Sequence, residues 1–82
     1  MRILTYNAED RKMLLRYLRN HGIFWHGDSN LTPEQVEESW SYKNYPTLSI
    51  DFDENKVVGF PDGGTFHRNC LEDKLKEMGR IT

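Results

Sequence analysis

Three consecutive large apolar residues, Ile23-Phe24-Trp25, constrain the fold of this chain more than any other feature of its sequence. Neighbouring residues of a β-strand point to opposite faces of the sheet, so a strand here carries apolar bulk on both faces. Covering both faces takes more structure than 82 residues easily supply. Because Ile23 and Trp25 share one face, we expect them to enter the core, and we expect Phe24 and His26 to point outward.

Length and composition indicate one small globular domain, residues 1–82. Hydrophobic residues make up 37% and charged residues 29% of the chain, which is too apolar for a disordered segment. The net charge of −2 gives no overall field for nucleic acid or an anionic membrane, and no apolar run of about 18 residues is present to span one. A single cysteine, Cys70, and an N-terminus that soon becomes polar predict a cytoplasmic location.

Local signals predict seven elements in the order β-α-β-α-β-β-α. Asn7, Thr32 and Asn69 are placed to cap three helices, because each can accept a hydrogen bond from a free amide of the first turn. Gly22 is the expected terminator of the first helix, in a left-handed conformation that glycine adopts without strain. The predicted helices cover residues 8–21, 33–41 and 70–78, and the predicted strands cover residues 2–6, 23–25, 47–52 and 56–60.

This order favours an α+β fold, with a mixed or antiparallel sheet of three to four strands packed by two to three helices. The last two strands form an antiparallel hairpin, with Asp53-Glu54-Asn55 as its turn. The first and last helices carry apolar stripes and are expected to cover one face of the sheet. Because the middle helix is short, we expect the opposite face to stay partly open.

The hairpin turn also resembles part of a calcium-binding loop. Asp51, Asp53 and Asn55 alternate as the first ligands of such a loop do. The sixth and twelfth positions, however, hold Lys56 and Asp62 instead of the required glycine and bidentate glutamate. We therefore interpret the segment as an acidic hairpin tip.

Zinc binding and catalysis by cysteine are two further hypotheses, and the sequence favours neither. His21 and His26 lie on either side of a helix end and a glycine, which separates their rings from each other and from His67 and Cys70. Cys70 with His67 can supply a nucleophile and its base, but a core this small is not expected to form a catalytic cleft. We expect surface histidines, a buried structural thiol, no cofactor and no enzymatic activity.

The first helix carries a basic row, in which Lys12, Arg16 and Arg19 fall at i, i+4 and i+7 with Arg11 beside them. Basic side chains next to aromatic rings bind single-stranded nucleic acid by neutralising phosphates and stacking bases. The alternative is a solvated helix face whose charge is partly offset by acidic neighbours. Nucleic-acid binding through Lys12, Arg16 and Arg19 is therefore the second hypothesis for function.

Aromatic density gives the leading hypothesis. Trp40, Tyr42 and Tyr45 lie within six residues of one another, in a loop that can bury only some of them. Tryptophan and tyrosine are enriched where proteins meet, because each buries a large rigid area and keeps a polar tip. Core packing is the alternative, and it accounts for most of the aromatic residues. We expect a protein-binding patch on the poorly covered face, formed by Phe24, His26, Trp40, Tyr42 and Tyr45.

Two segments give the chain a resemblance to small orphan proteins encoded by tailed bacteriophages. LRNHGIFWHGDSNL is a helix end followed by glycine, apolar residues, tryptophan and a turn, and YPTLSIDFDENKVVGF is a hairpin. The resemblance covers about residues 14–60. It implies a non-enzymatic inhibitor or adaptor that binds a larger protein in the host bacterial cytoplasm, and it implies no catalytic residues. A monomer and a homodimer both remain open, because a second copy can close an uncovered strand edge.

Overall fold

Seven elements follow one another in the predicted order in the computed structural model, which describes residues 1–64 and 68–81. The α+β fold is therefore confirmed. The elements are β1 (Arg2–Leu4), α1 (Ala8–Asn20), β2 (Phe24–Trp25), α2 (Pro33–Ser39), β3 (Thr47–Asp51), β4 (Lys56–Phe60) and α3 (Arg68–Glu77).

The four strands form one mixed sheet in the order β1-β3-β4-β2. β3 is antiparallel to both of its neighbours, and β2 joins the far edge parallel to β4. In the turn between β3 and β4, Asn55 adopts a φ of 57°, and the Asp51 carboxylate accepts hydrogen bonds from the backbone N–H groups of Asp53 and Glu54. The calcium-like spacing of acidic residues therefore serves to close a hairpin.

The first two helices begin at the predicted caps. The side chain of Asn7 accepts a hydrogen bond of 2.8 Å from the backbone N–H of Asp10. Thr32 and Gln35 form the reciprocal bonds of a capping box. Gly22, with a φ of 79°, follows the end of α1. Both helices end one or two residues earlier than predicted.

The predicted start of the third helix is wrong. α3 begins at Arg68, so Asn69 lies within its first turn and does not cap it. Arg68 forms an ion pair with Asp10, and its guanidinium lies 5.9 Å from the centroid of the Tyr6 ring. These contacts join Arg68 to residues near the start of α1 that are distant in sequence. A capping rule considers only neighbouring residues and so cannot take them into account.

All three helices contribute to one core on one face of the sheet. Ile23 and Trp25 are 1% and 7% exposed, whereas Phe24 is half-buried and His26 is exposed, which confirms the predicted orientation of this strand. The core residues are Ile3, Leu14, Leu15, Leu18, Ile23, Trp25, Val36, Leu48, Ile50, Val57, Leu71 and Leu75.

The opposite face of the sheet is only partly covered. Leu4 lies there 44% exposed, while Val58 and Phe60 are half-buried. The guanidinium of Arg2 lies 4.0 Å from the centroid of the Phe60 ring. Within the described residues, no helix is long and apolar enough to cross a membrane.

The chain after β4 approaches the outer edge of β1. Met1 exchanges backbone hydrogen bonds with Ile50, so the backbone groups of Arg2 and Leu4 point away from β3. Gly64 packs closely against these groups. A Cβ on this residue would lie 2.3 Å from the Leu4 nitrogen and 3.0 Å from the Arg2 oxygen. This packing covers an edge at which another strand would otherwise pair.

Candidate protein-binding surface

An aromatic cluster lies where α2 joins β3 and runs from the core to the surface. The rings of Trp25 and Trp40 have centroids 6.0 Å apart, and those of Trp40 and Tyr45 have centroids 5.3 Å apart. Trp25 belongs to the core, whereas Trp40 is 38% exposed. The exposed ring is thus backed by the buried ring of Trp25 and the half-buried ring of Tyr45, which limits the entropy that it loses on binding.

Two tyrosines extend this cluster across the surface. The hydroxyl of Tyr42 donates a hydrogen bond of 2.8 Å to the backbone carbonyl of Tyr6. Tyr6 is 70% exposed, more than Trp40, yet the sequence prediction of the patch did not include it. The available signal was its alternation with Leu4 along the predicted strand 2–6, although β1 itself ends at Leu4. We refer to Tyr6, Trp40, Tyr42 and Tyr45 together as the aromatic surface.

Phe24 and His26 lie apart from the aromatic surface. Phe24 packs under Arg19, whose guanidinium lies 5.7 Å from the centroid of the phenyl ring. His26 lines a shallow depression of about 360 Å³ on the open face of the sheet, beside Ser49 and Lys56. The structure therefore brings together three of the five predicted patch residues. The other two point to the open face of the sheet because they alternate with Trp25 along the strand. The patch was predicted on that open face, and this location is wrong for Trp40 and Tyr45, which pack on the side of Trp25.

A buried ion pair lies beneath the aromatic surface. Arg11 is fully buried, and its Nη1 donates to the Glu37 carboxylate at 2.9 Å. The Nε of Arg11 donates to the backbone carbonyl of Tyr45 at 3.1 Å. The second oxygen of Glu37 accepts from the backbone N–H of Tyr42 at 2.8 Å. This pair joins α1, α2 and the loop that carries two of the surface tyrosines.

Arg11 therefore belongs to the interior and not to the basic face beside which the sequence placed it. Burial lowers the pKa of the Arg11 guanidinium, and the charge and hydrogen bond of Glu37 partly offset this. An arginine side chain so placed still carries its charge at neutral pH. Nη2 has no hydrogen-bond acceptor among the described residues, and the guanidinium lies 5.7 Å from the centroid of the Trp25 ring.

The other cations of the basic row have partners within the chain. Lys12 pairs with Glu9 at 2.7 Å, and this hydrogen bond raises the pKa of the lysine. Arg16 pairs with Glu34 of α2 at 2.6 Å. Arg19 donates to two backbone carbonyls of the loop that precedes α2, at 3.2 and 2.8 Å. Much of the positive charge on this face is thus neutralised in place.

Cys70 is exposed, so the prediction of a buried thiol is wrong. It precedes Leu71, which faces the core, and a step of one residue along a helix turns the side chain away by about 100°. The predicted partner His67 lies outside the described residues. Within residues 1–64 and 68–81, no three His, Cys, Asp or Glu side chains are grouped so as to hold a metal ion.

A groove of about 330 Å³ separates α1 from α3, and Asp10 and Arg68 pair near its end. Burial alone would raise the pKa of Asp10. The ion pair with Arg68 and the hydrogen bond from the backbone N–H of Tyr6 outweigh burial and lower this pKa below its ordinary value of 3.8. The ionised form of Asp10 therefore stabilises the folded chain.

Replacing Asp10 with asparagine should lower the free energy of unfolding by about 1 kcal/mol at neutral pH. The contribution of Asp10 is fully present above its ordinary pKa of 3.8 and is lost as the pH falls through the lower folded value. Urea unfolding of both proteins between about pH 7 and about pH 2 measures this difference. The exposed Asp62→Asn variant corrects for general charge effects, and a difference that persists in acid would contradict the assignment.

Comparison of the chain with protein-family models, curated proteins and solved structures finds no match. Function is therefore inferred from the exposure, contacts and charges of the residues themselves. Among the described residues, the aromatic surface combines large exposed rings with a rigid support. That combination is typical of residues that dominate the affinity of protein interfaces.

Proposed function

We propose that the protein is a non-catalytic binding module that modulates a larger partner protein through the aromatic surface. The observation that carries the proposal is the exposure of Tyr6 and Trp40, at 70% and 38%, with Trp40 packed against the buried ring of Trp25. The resemblance to small bacteriophage proteins supports an inhibitor or adaptor of a host protein in the bacterial cytoplasm.

The contacts of the surface order its side chains before any partner binds. Trp40 is packed against Tyr45, and Tyr42 is hydrogen-bonded at both its hydroxyl and its backbone N–H. Side chains that are already ordered lose little conformational entropy when a partner covers them. Rings of this size bury a large area each and so contribute strongly to affinity.

The double substitution Trp40→Ala/Tyr42→Ala should weaken binding to that partner by about 2 kcal/mol or more, or roughly thirtyfold in Kd. The full chain, carrying a tag, is used to capture proteins from bacterial lysate with and without nuclease. The affinity of the captured protein is then measured by calorimetry for each variant.

The control for this experiment is Met78→Ala, which removes a side chain as exposed as Trp40, at 38%, from the end of α3. Its Kd should equal that of the unmodified chain. The circular dichroism of both variants should show that the fold persists. An unchanged Kd for a folded Trp40→Ala/Tyr42→Ala variant would overturn the proposal.

Nucleic-acid binding through Lys12, Arg16 and Arg19 remains the second hypothesis. It is less well supported, because each of these cations already contacts an acceptor in the chain. It predicts that captured material disappears on nuclease treatment and that affinity falls steeply as salt rises.

A further inference from the structure

The buried ion pair of Arg11 and Glu37 occupies space in the core that apolar side chains could also fill. Arg11 has no exposed surface, and the side chain of Glu37 is 20% exposed. Moving two such charges out of water carries a cost that apolar residues of similar size would avoid. The role of the pair therefore lies in the backbone groups that its hydrogen bonds hold in place.

Those hydrogen bonds hold the loop of the aromatic surface at two points. Arg11 donates to the carbonyl of Tyr45, and Glu37 accepts from the N–H of Tyr42. The planar guanidinium reaches Tyr45 and Glu37 at the same time, which a lysine cannot do because it lacks the rigid fork of donors. Arg11 thus holds the Tyr45 backbone directly and holds the Tyr42 backbone through Glu37.

The loop has other supports, of which one is the bond of the Tyr42 hydroxyl to the carbonyl of Tyr6, ahead of α1. The backbone N–H groups of Asn44 and Tyr45 both bond to the carbonyl of Ser41, which closes a local turn. Thr5 donates its N–H and its hydroxyl to the carbonyl of Pro46, where β3 is about to begin. None of these contacts joins the turn to α1 or α2, whereas the ion pair does.

We propose that Arg11 is a positioning residue for the aromatic surface, acting with Glu37 to orient Tyr42 and Tyr45 without touching the partner. This inference rests on the proposed function, since it assigns the buried pair to the same surface. It also explains why a charged residue lies at a fully buried position of α1, between the cap and the apolar stripe.

The test is the double substitution Arg11→Met/Glu37→Gln, which removes both charges and keeps an oxygen that can accept from Tyr42. Amide hydrogen exchange of the full chain is measured by NMR. We expect exchange in residues 41–46 to become about tenfold faster or more, with exchange in the β3–β4 ladder unchanged. Loss of the fold alone would accelerate both regions together.

A matched control is Arg16→Met/Glu34→Gln, which breaks an ion pair between the same two helices at the surface. It should leave exchange in residues 41–46 unchanged. Equal exchange of this loop in both double variants would overturn the positioning role. Arg11→Lys keeps the charge but lacks the planar set of donors, so exchange in residues 41–46 should lie between that of the unmodified chain and that of the double variant. This variant tests the same role if the double variant does not fold.

These outcomes separate the two proposals, because hydrogen exchange requires no partner. If the loop is released but Trp40→Ala/Tyr42→Ala leaves binding unchanged, the proposed function fails and the positioning role stands. If the loop is unaffected and that variant weakens binding, only the positioning role fails. If both hold, Arg11→Met/Glu37→Gln should weaken binding as well, although neither residue belongs to the aromatic surface.

Discussion

Replacing Arg11 with methionine should lower the free energy of unfolding by about 3 kcal/mol. Methionine fills similar apolar space, so the loss comes mainly from Glu37, which keeps its charge without a partner. Breaking a buried pair in this way is far more costly than never forming it, because a desolvated charge is left uncompensated. The 20% exposure of the Glu37 side chain places the expected loss at the lower end for such pairs.

Urea unfolding of a double-mutant cycle measures this effect. Glu37→Gln alone should also destabilise the chain, since it leaves the buried guanidinium of Arg11 without its carboxylate. Combining it with Arg11→Met should recover much of the stability lost in either single variant. Additive losses with no recovery would show that the two charges do not compensate each other.

The order of elements could be predicted from the sequence because each element has a local signal. Asn7 caps α1, the capping box of Thr32 and Gln35 begins α2, and the alternation of Leu48 and Ile50 marks β3. Each signal lies within a few residues of the structure that it causes. The strand order β1-β3-β4-β2 had no such signal, because it depends on pairing between residues far apart in sequence.

Arg11 shows most clearly where interpretation of the sequence failed. Its charge and its place next to Lys12 grouped it with the basic row, since a charged residue on a helix is normally solvated. Its actual position follows from the approach of Glu37 and Tyr45, which lie 26 and 34 residues later in the chain. Helical spacing does distinguish this arginine from the exposed Arg16. Arg11 precedes Leu14 and Leu15 by three and four residues and so lies on the apolar stripe, whereas Arg16 has Lys12 and Arg19 at such spacings.

Only part of the candidate binding surface could be predicted, because some of its contacts join residues far apart in sequence. Trp40, Tyr42 and Tyr45 are close in sequence, and a short loop keeps them together whatever the tertiary structure. Phe24 was joined to them only by composition, and the alternation of the strand separates it from Trp25 and hence from Trp40. Tyr6 approaches the surface through its bond with Tyr42, 36 residues away, which a sequence window does not detect.

Replacing Gly64 with alanine should lower the free energy of unfolding by about 2 kcal/mol. The new Cβ would lie 2.3 Å from the Leu4 nitrogen and 2.7 Å from the carbonyl carbon of Ile3. Both are backbone atoms of a strand that is hydrogen-bonded to β3, so they cannot move aside as a flexible side chain would. Either the chain after β4 leaves the edge of β1, or the strand shifts, and both disrupt packing.

Gly63→Ala is the matched control, because a Cβ on that neighbouring glycine would meet nothing within 4 Å. It should be neutral or slightly stabilising, since alanine restricts the unfolded chain more than glycine does. Urea unfolding of both variants measures the difference directly. Equal stability would show that Gly64 does not pack against the edge strand. A loss confined to Gly64→Ala would show that Gly64 packs against the outer edge of β1.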